Sequence, residues 1–372
     1  MNIIKQISIL FFLSIISLSC KNKLFVEVKG NEFQINDSHY KYIGCNYWYG
    51  GYLGASNKER LNAELDFLSK QNVKNLRVFI CGEGDSTYKY RIFPSIQPKQ
   101  RIYNEDILKG FDYFLAEASK RNMKIVFVLN NNWEWSGGFG QYLEWAGYGE
   151  PPLPKTEDWD WRNYSKYIAQ FYSCDSCIEW NNAWIRKVIN RRNTFNGLNY
   201  KDDPTIMAWE LSNEPRPMDT SATKFYVNWV KSSAALIKSI DPNHLITIGT
   251  EGIISTFYSE DIYSKVHSIK DIDYCTVHLW PKTWVWYNGE SDASVSDTTL
   301  KKTRDYIEQH SKIAKNLNKP LVIEEFGLHR DGNSFSPKAS IQNRNKYYDF
   351  VFDIGKKNDV SGYNFWGFAG VG

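Results

Sequence analysis

The chain has 372 residues, with 45 Lys and Arg against 42 Asp and Glu and a formal net charge of +3. These charges are spread along the sequence without a basic block, which argues against a nucleic-acid surface. Aromatic residues make up 16% of the chain, and many lie in polar, loop-like segments such as "NNNWEWSGG" and "HLWPKTWVWY". Flat aromatic faces with a polar edge suit sugar rings and single-stranded bases alike.

The first 20 residues have the pattern of an export signal. Lys5 precedes the apolar stretch "ISILFFLSIISLSC", which is too short and too early for a membrane-spanning helix of the mature protein. The stretch resembles a bacterial lipoprotein signal, in which the final cysteine, here Cys20, is lipidated, although Ser17 stands where such signals usually have Leu. We expect a signal peptide over 1–20 and a cell-envelope lipoprotein of the outer membrane or periplasm, or a secreted protein.

The next segment, "LFVEVKGNEFQINDSHYKYIGCNYW", alternates apolar and polar residues around "KGN" and "NDS", which predicts an N-terminal β-hairpin. Short apolar runs then alternate with segments of helical period, of which "STFYSEDIYSKVHSI" is the poorest. The predicted strands are 41–46, 75–80, 124–130, 205–211, 245–251, 273–279, 320–326 and 361–366.

Strands that alternate with helices predict a parallel sheet covered by helices, and eight of them predict a (β/α)8 TIM barrel. An open doubly wound sheet is disfavoured, because "GCNYWYGGYLG" after the first strand lacks the spacing of a dinucleotide-binding loop. Neither a long internal repeat nor a low-complexity linker divides the sequence. We therefore interpret residues 24–372 as one domain.

Polar and aromatic residues follow most of the predicted strands. In a TIM barrel the catalytic and substrate-binding side chains lie at the carboxyl ends of the strands, on one face. In chain order these ends carry Asn46, Trp48, Arg77, Asn131, Trp133, Asn213, Glu214, Glu251, His278, Trp280, Glu324 or Glu325, and Trp366.

Two carboxylates, Glu214 and either Glu324 or Glu325, should therefore face each other across the barrel mouth. Hydrolysis of a glycosidic bond needs one group to protonate the leaving oxygen and another to attack or stabilise the sugar carbon. A metal hydrolase would need several His and Asp at the rim, yet only His278 of the six histidines lies at a predicted strand end. We expect no metal and no cofactor.

The cysteines after Cys20 are five in number, so they cannot all pair with one another. Only "CDSC" at 174–177 has the spacing of a metal or redox motif, and the second pair that a structural zinc site needs is missing. A local disulfide or two free thiols are the interpretations that remain for Cys174 and Cys177.

Three motifs in sequence order, "WELSNEPR", "TVHLWP" and "LVIEEFG", resemble glycoside hydrolase family 5 of clan A. The segments "NLRVF", "LNNNWEWSGGFGQYLEWAG" and "GTEG" resemble its β-1,4-mannanase branch, and the resemblance runs from about residue 25 to the end. It implies that Glu214 is the general acid/base and Glu325 the nucleophile, a choice over Glu324 that strand periodicity leaves open.

The resemblance also implies the surroundings of this pair. Asn213 would hold the sugar 2-hydroxyl, Arg77 and His278 would position the nucleophile and tune its charge, and Trp366 would be the stacking platform where the bond breaks. Arg216 resembles the arginine that mannanases place on the leaving-group side. Further substrate-binding residues are expected at strand ends: Trp48, Asn131, Trp133, Glu251 and Trp280.

The sequence departs from the family pattern at two places. Trp280 stands where the family usually has Tyr, so an indole N–H replaces a phenol as the donor available to the nucleophile. The sequence also stops six residues after Trp366, where the family continues into an eighth helix, so we expect that helix to be missing.

These residues together predict a retaining endo-β-1,4-mannanase that acts on mannan, glucomannan or galactomannan. The alternatives are an endo-β-1,4-glucanase of the same family and a non-catalytic surface glycan-binding lipoprotein. The segment "NNNWEWSGG" with Arg216 favours mannan, and the presence of both carboxylates favours an enzyme. We expect a monomer whose partner is the polysaccharide, without nucleic acid, and with membrane contact only through the lipid anchor.

Overall fold

The structure is a computed structural model that describes residues 25–85, 87–88, 91–153, 160–287 and 295–370. The predicted signal peptide and Cys20 lie outside these residues. Among the helices within them, none combines the length and the apolar character that a bilayer crossing requires.

An antiparallel three-stranded sheet opens the described chain and confirms the predicted hairpin. Its strands are β1 (Glu27–Lys29), β2 (Glu32–Ile35) and β3 (Ser38–His39). Phe33 is buried against Tyr42 and Tyr274, at the beginnings of two barrel strands. The small sheet therefore covers the amino-terminal end of the barrel, away from the face on which the polar strand ends meet.

The described residues contain an eight-stranded parallel sheet that confirms the predicted TIM barrel. Its strands, in chain order, are β4 (Tyr42–Asn46), β5 (Asn75–Phe79), β6 (Lys124–Val128), β7 (Ile206–Glu210), β8 (Leu245–Thr247), β9 (Cys275–Leu279), β10 (Leu321–Phe326) and β11 (Gly362–Phe365). Neighbours pair in sequence order, and β11 pairs with β4. Between β8 and β9 the barrel closes through the bonds from Asp273 N to Ile246 O and from His278 N to Glu251 O.

The helices of the described chain are α1 (Gly50–Ser56), α2 (Lys58–Lys70), α3 (Glu105–Lys120), α4 (Gly138–Trp145), α5 (Trp161–Ala169), α6 (Asp175–Ile189), α7 (Thr223–Ile240), α8 (Glu260–His267), α9 (Asp297–Asn316) and α10 (Gln342–Lys357). Each segment of helical period contains at least one of them, and the poorest segment, "STFYSEDIYSKVHSI", contains only the short helix α8. Helices α1 and α4 were not predicted. Both are rich in glycine, which has low intrinsic helix propensity.

After β11, residues 366–370 continue without a helix, and Phe368 stacks on Phe67 of α2 with ring centroids 6.0 Å apart. Cys174 and Cys177 form a disulfide at the start of α6. Of the two interpretations left open for this pair, the structure therefore has the local disulfide.

A close approach between two loops fixes the turn that follows β7. Gly249 has a φ of +85°, and a Cβ there would lie 2.2 Å from both Glu210 Oε1 and Ser212 O. The Gly249 carbonyl accepts the Glu214 N–H at 2.8 Å. Only glycine combines this backbone conformation with this approach.

Gly249→Ala should lower the free energy of unfolding by at least about 3 kcal/mol, because a left-handed alanine and an overpacked contact add together. Gly147→Ala is the matched control, since Gly147 also has a φ of +85° but would meet no atom within 4 Å. The control should lose only about 1–2 kcal/mol. Urea denaturation measures both, and equal losses would show that the contact is not close.

Candidate active site

Arg77 on β5 is the centre of a buried polar network beneath the barrel mouth. Its side chain is fully buried, and all five N–H groups of the guanidinium donate to acceptors. Two donate to Glu210, at 2.8 Å for Nε and 2.5 Å for Nη2, and the others donate to Asn46 and Asn213 at 2.9 and 2.8 Å and to Glu325. The guanidinium therefore ties strands β4, β7 and β10 together.

Glu214 lies just after β7 in a left-handed conformation, with a φ of 50°. Its carboxyl oxygens lie 2.6 Å from His278 Nδ1 and 2.5 Å from the Trp133 Nε1–H donor. The peptide on its amino side is fixed as well, because Glu214 N donates to Gly249 O, after β8, at 2.8 Å and Asn213 O accepts from Asn132 N at 3.0 Å. Glu214 is thus held by neighbours from three other strand ends and lines the groove above them.

Glu325 on β10 faces Glu214. Arg77 donates to its Oε1, and Trp280 Nε1 donates to its Oε2 at 3.0 Å. One ligand atom each from Glu214, Glu325 and His278 lies within 4.8 Å of the others. The two carboxyl groups are therefore close neighbours.

A register shift explains why two consecutive glutamates both face the barrel interior. The pairing of β10 with β9 shifts between Ile323 and Glu325, whereas an unbroken strand would direct adjacent side chains to opposite faces. Glu324 lies 3.8 Å from Arg77 Nε and 3.5 Å from His278 Nε2, below the groove, while Glu325 lines it.

His278 is neutral and links the glutamates. Burial, and next the charge of Arg77, lower the pKa of His278 to about 3. Burial, reinforced by Glu210, raises the pKa of Glu324 well above its usual range and so favours its protonated form. A protonated Glu324 can donate to Nε2, which leaves the hydrogen of His278 on Nδ1, beside Glu214.

Burial favours one retained proton in the Glu214–Glu325 pair. It raises the pKa of both carboxyl groups, while Arg77 lowers the pKa of Glu325 and the charge of Glu214 raises it. Because the groups are so close, the protons leave in two steps that belong to the pair. Of the two carboxyl groups, only Glu325 accepts a hydrogen bond from the permanently charged Arg77. The negative charge therefore belongs on Glu325 and the remaining proton on Glu214.

Above the pair is an open groove of about 1030 Å³, at or above the upper end of the usual range for small-molecule sites. Trp366 and Trp280 line it near Glu325, with ring centroids 5.9 Å apart. On the far side of Glu214, Arg216 binds both oxygens of Glu251 at 2.6 and 2.7 Å, and its guanidinium lies 5.2 Å from the Trp133 ring centroid.

Two of the expected substrate-binding residues occupy different places. Asn131 is fully buried beneath the groove, where its Oδ1 accepts from Asn213 at 3.1 Å and its Nδ2 donates to Ser136 at 3.0 Å, so its amide supports Asn213. Trp48 lies behind Trp366 in a smaller pocket and packs edge-on against Trp135 at 6.1 Å. The other expected residues either line the groove or lie directly beneath Glu214 and Glu325: Arg77, Trp133, Asn213, Glu214, Arg216, Glu251, His278, Trp280, Glu325 and Trp366.

Sequence reasoning missed Glu210, which binds Arg77 through both oxygens, and the groove-lining Trp161. The signal for Glu210 was a charged residue inside the apolar run "TIMAWEL", where a buried carboxylate requires a cationic partner.

The donor set Glu214, His278 and Glu325 has the composition of a cation site, but its surroundings oppose that use. Arg77 and Trp280 direct N–H groups at Glu325, and Trp133 directs one at Glu214. A bound cation would have to compete with the guanidinium for the same carboxylate. The set is therefore better suited to acid–base and nucleophilic chemistry.

A TIM barrel with two opposed carboxyl groups on the floor of an open, tryptophan-lined groove is the arrangement of a glycoside hydrolase. The comparisons with known proteins agree. A family model described as GH family 5 beta-mannosidase-like matches residues 23–372, so the chain belongs to glycoside hydrolase family 5.

A mannan endo-1,4-beta-mannosidase of Arabidopsis thaliana is 31% identical over 352 residues, which are 89% of this chain and 77% of the relative. The glycoside hydrolase family 5 mannosidase of Rhizomucor miehei is 32% identical with a TM-score of 0.85, covering 93% of this chain and 86% of the other. An endo-1,4-beta-D-mannanase of Thermotoga petrophila is 29% identical with a TM-score of 0.72, covering 90% of each chain.

Trp280→Phe should lower kcat/KM about 10- to 100-fold, because it removes a hydrogen bond to a charged group worth about 1.5–3 kcal/mol. The lost donor favoured the ionised form of Glu325, so the acid limb of the pH profile should move to higher pH. Trp280→Tyr restores a donor and is the matched control, which should recover much of the activity. A wild-type pH profile in Trp280→Phe would show that the indole contributes packing alone and does not tune the pKa of Glu325.

Proposed function

We propose that this chain is a retaining endo-β-1,4-mannanase, which hydrolyses internal bonds of mannan, glucomannan or galactomannan. The observation that carries the chemistry is the Glu214–Glu325 pair, with one oxygen of each within 4.8 Å. Retaining enzymes have carboxyl groups about 5–5.5 Å apart, whereas inverting enzymes need about 6.5–9.5 Å to admit a water. The names of the Arabidopsis and Thermotoga relatives support mannan as the substrate.

In the first step Glu325 attacks the anomeric carbon and Glu214 protonates the departing oxygen. The network supports both roles, because Arg77 and Trp280 stabilise the carboxylate of Glu325 and burial keeps the proton on Glu214. The product of this step is a covalent glycosyl-enzyme on Glu325.

In the second step Glu214, now ionised, removes a proton from water, which attacks the anomeric carbon and releases Glu325. Two inversions give net retention. Asn213 directly precedes Glu214, has its Oδ1 held by Arg77, and lines the groove, where it would meet the 2-hydroxyl of the reacting sugar. Trp366 offers its ring to the same sugar.

The open groove favours cleavage within a chain, since it continues on the side of Glu214 beyond the reacting centre. The similarity to the Rhizomucor mannosidase makes an exo-acting β-mannosidase the second candidate. The two differ in their products, because internal cutting shortens the polymer long before it releases many ends.

On a soluble galactomannan, viscosity should fall much faster than reducing ends accumulate. Carboxymethyl cellulose is the matched polymer control and should be cleaved far more slowly. Early release of mannose with little loss of viscosity would favour the exo-acting enzyme, and preference for the cellulose derivative would favour a glucanase.

Glu325→Ala should lose nearly all turnover on every substrate, because no other group can form the glycosyl-enzyme. Glu214→Ala should lose turnover on mannan but recover the first step on an aryl β-mannoside with an acidic leaving group, which needs no proton. Stopped-flow release of the aryl group measures this step. Equal recovery in both variants would contradict the assigned roles.

We also propose that the protein is exported and anchored by lipid at Cys20, on the basis of the sequence of residues 1–20. Cys20→Ala should abolish membrane association while hydrolysis of mannan by the released protein continues. Ser17→Leu, which restores the usual residue of such signals, should stay in the membrane fraction. Cell fractionation measures the membrane-bound share of all three proteins. A wild-type protein found only in the soluble fraction would contradict the proposed lipid anchor.

A further inference from the structure

The groove has an outer end beyond the Arg216–Glu251 pair, whose walls differ from the catalytic centre. Phe257 and Tyr258, between β8 and α8, form one wall, and Val285, between β9 and α9, belongs to the other. We call these three residues the outer wall. Their side chains are 41%, 66% and 83% exposed, unusually high for large apolar residues in a cleft.

All three outer-wall residues have left-handed backbones, with φ of 56° for Phe257, 61° for Tyr258 and 56° for Val285. Aromatic and β-branched residues rarely adopt this conformation. Each such residue costs roughly 1–3 kcal/mol and persists only where the surroundings determine it, often at ligand sites. The conformation keeps the three side chains exposed along the groove.

One buried residue, Tyr306 on α9, braces both walls. Its hydroxyl donates to Glu251 O at 3.0 Å and accepts from Ile254 N at 3.3 Å. Its ring packs against Trp284 and Trp286, which flank Val285, at centroid distances of 5.3 and 5.6 Å. The walls are therefore held at a fixed separation.

The loop that carries Phe257 and Tyr258 is also closed internally. Tyr258 N donates to Ile253 O at 2.8 Å, and the Thr256 hydroxyl bonds the carbonyls of Ile253 and Ser259 at 3.1 and 3.0 Å. His310 accepts from Ile253 N at 2.9 Å. These bonds hold the backbone of the loop in the conformation that places both aromatic residues along the groove.

The chemistry of this end of the groove suits a neutral ring with polar edges. The described lining residues beyond Arg216 and Glu251 carry no charged side chain: Ile254, Ser255, Phe257, Tyr258, Thr283, Trp284 and Val285. Aromatic faces and an aliphatic side chain can bind the C–H face of a sugar, while its hydroxyls stay in water.

We propose that the outer wall binds a distal sugar ring of the polysaccharide on the leaving-group side, farther from the cleaved bond than Arg216 and Glu251. The direction follows from the order of contacts. Glu214 protonates the leaving oxygen, Arg216 follows it by two residues and binds Glu251, and Glu251 begins the loop that carries Tyr258. This inference rests on the proposed function, and it makes Tyr258 a residue that selects for long substrates.

Tyr258→Asn tests the inference, since asparagine tolerates a left-handed backbone and the loop should therefore keep its conformation. The ratio of kcat/KM on mannohexaose to kcat/KM on mannotriose should fall roughly 3- to 10-fold, mostly through KM. Cleavage of mannohexaose in H₂¹⁸O, followed by mass spectrometry, should show a shift of the cut toward the reducing end. Tyr258→Trp keeps a ring and should keep the wild-type ratio and cleavage position.

Phe225→Ala is the matched control, because Phe225 is a similarly exposed aromatic (46%) on α7 and does not line the groove. It should leave both measurements unchanged. If Tyr258→Asn keeps the wild-type ratio and cleavage position, the outer wall does not bind a distal sugar, while the proposed function stands. Failure of the wild type to hydrolyse mannohexaose would overturn the proposed function itself, and the inference with it.

Discussion

The pairing of one buried guanidinium with two carboxylates is the constraint on which the rest of the site depends. Arg77 has no exposure to water, and its five N–H groups are satisfied by Glu210, Glu325, Asn213 and Asn46. Removing one partner from such a buried pair typically costs about 3–5 kcal/mol. The arginine therefore connects barrel stability to the position of the nucleophile.

The same network separates the roles of two chemically identical groups. Glu325 accepts from Arg77 and the Trp280 indole, whereas Glu214 contacts the neutral groups Trp133 and His278. Burial disfavours a second negative charge so close to the first. The site thus holds one carboxylate and one carboxylic acid, as double displacement at a sugar carbon requires.

The barrel could be predicted because short apolar runs alternate with segments of helical period and there are eight such runs. The facing carboxylates could be predicted because each follows or ends an apolar run, at the end of a strand that opens on the same face. The choice between Glu324 and Glu325 required the resemblance, because a register shift in β10 directs both inward. The position of Asn131 beneath the groove could not be predicted, since a strand-end amide can bond its neighbour Asn213 as well as line a groove. The outer wall depends on left-handed residues in a loop, which no periodic pattern indicates.

The most direct test of the account is to trap the glycosyl-enzyme. A 2-deoxy-2-fluoro-β-mannosyl fluoride slows both steps but has a good leaving group, so the intermediate accumulates. Mass spectrometry of a proteolytic digest should then find one mannosyl adduct, on Glu325, that is lost on incubation with an acceptor sugar. An adduct on Glu324 or Glu214, or none in an enzyme that turns over mannan, would contradict the assignment of Glu325 as the nucleophile.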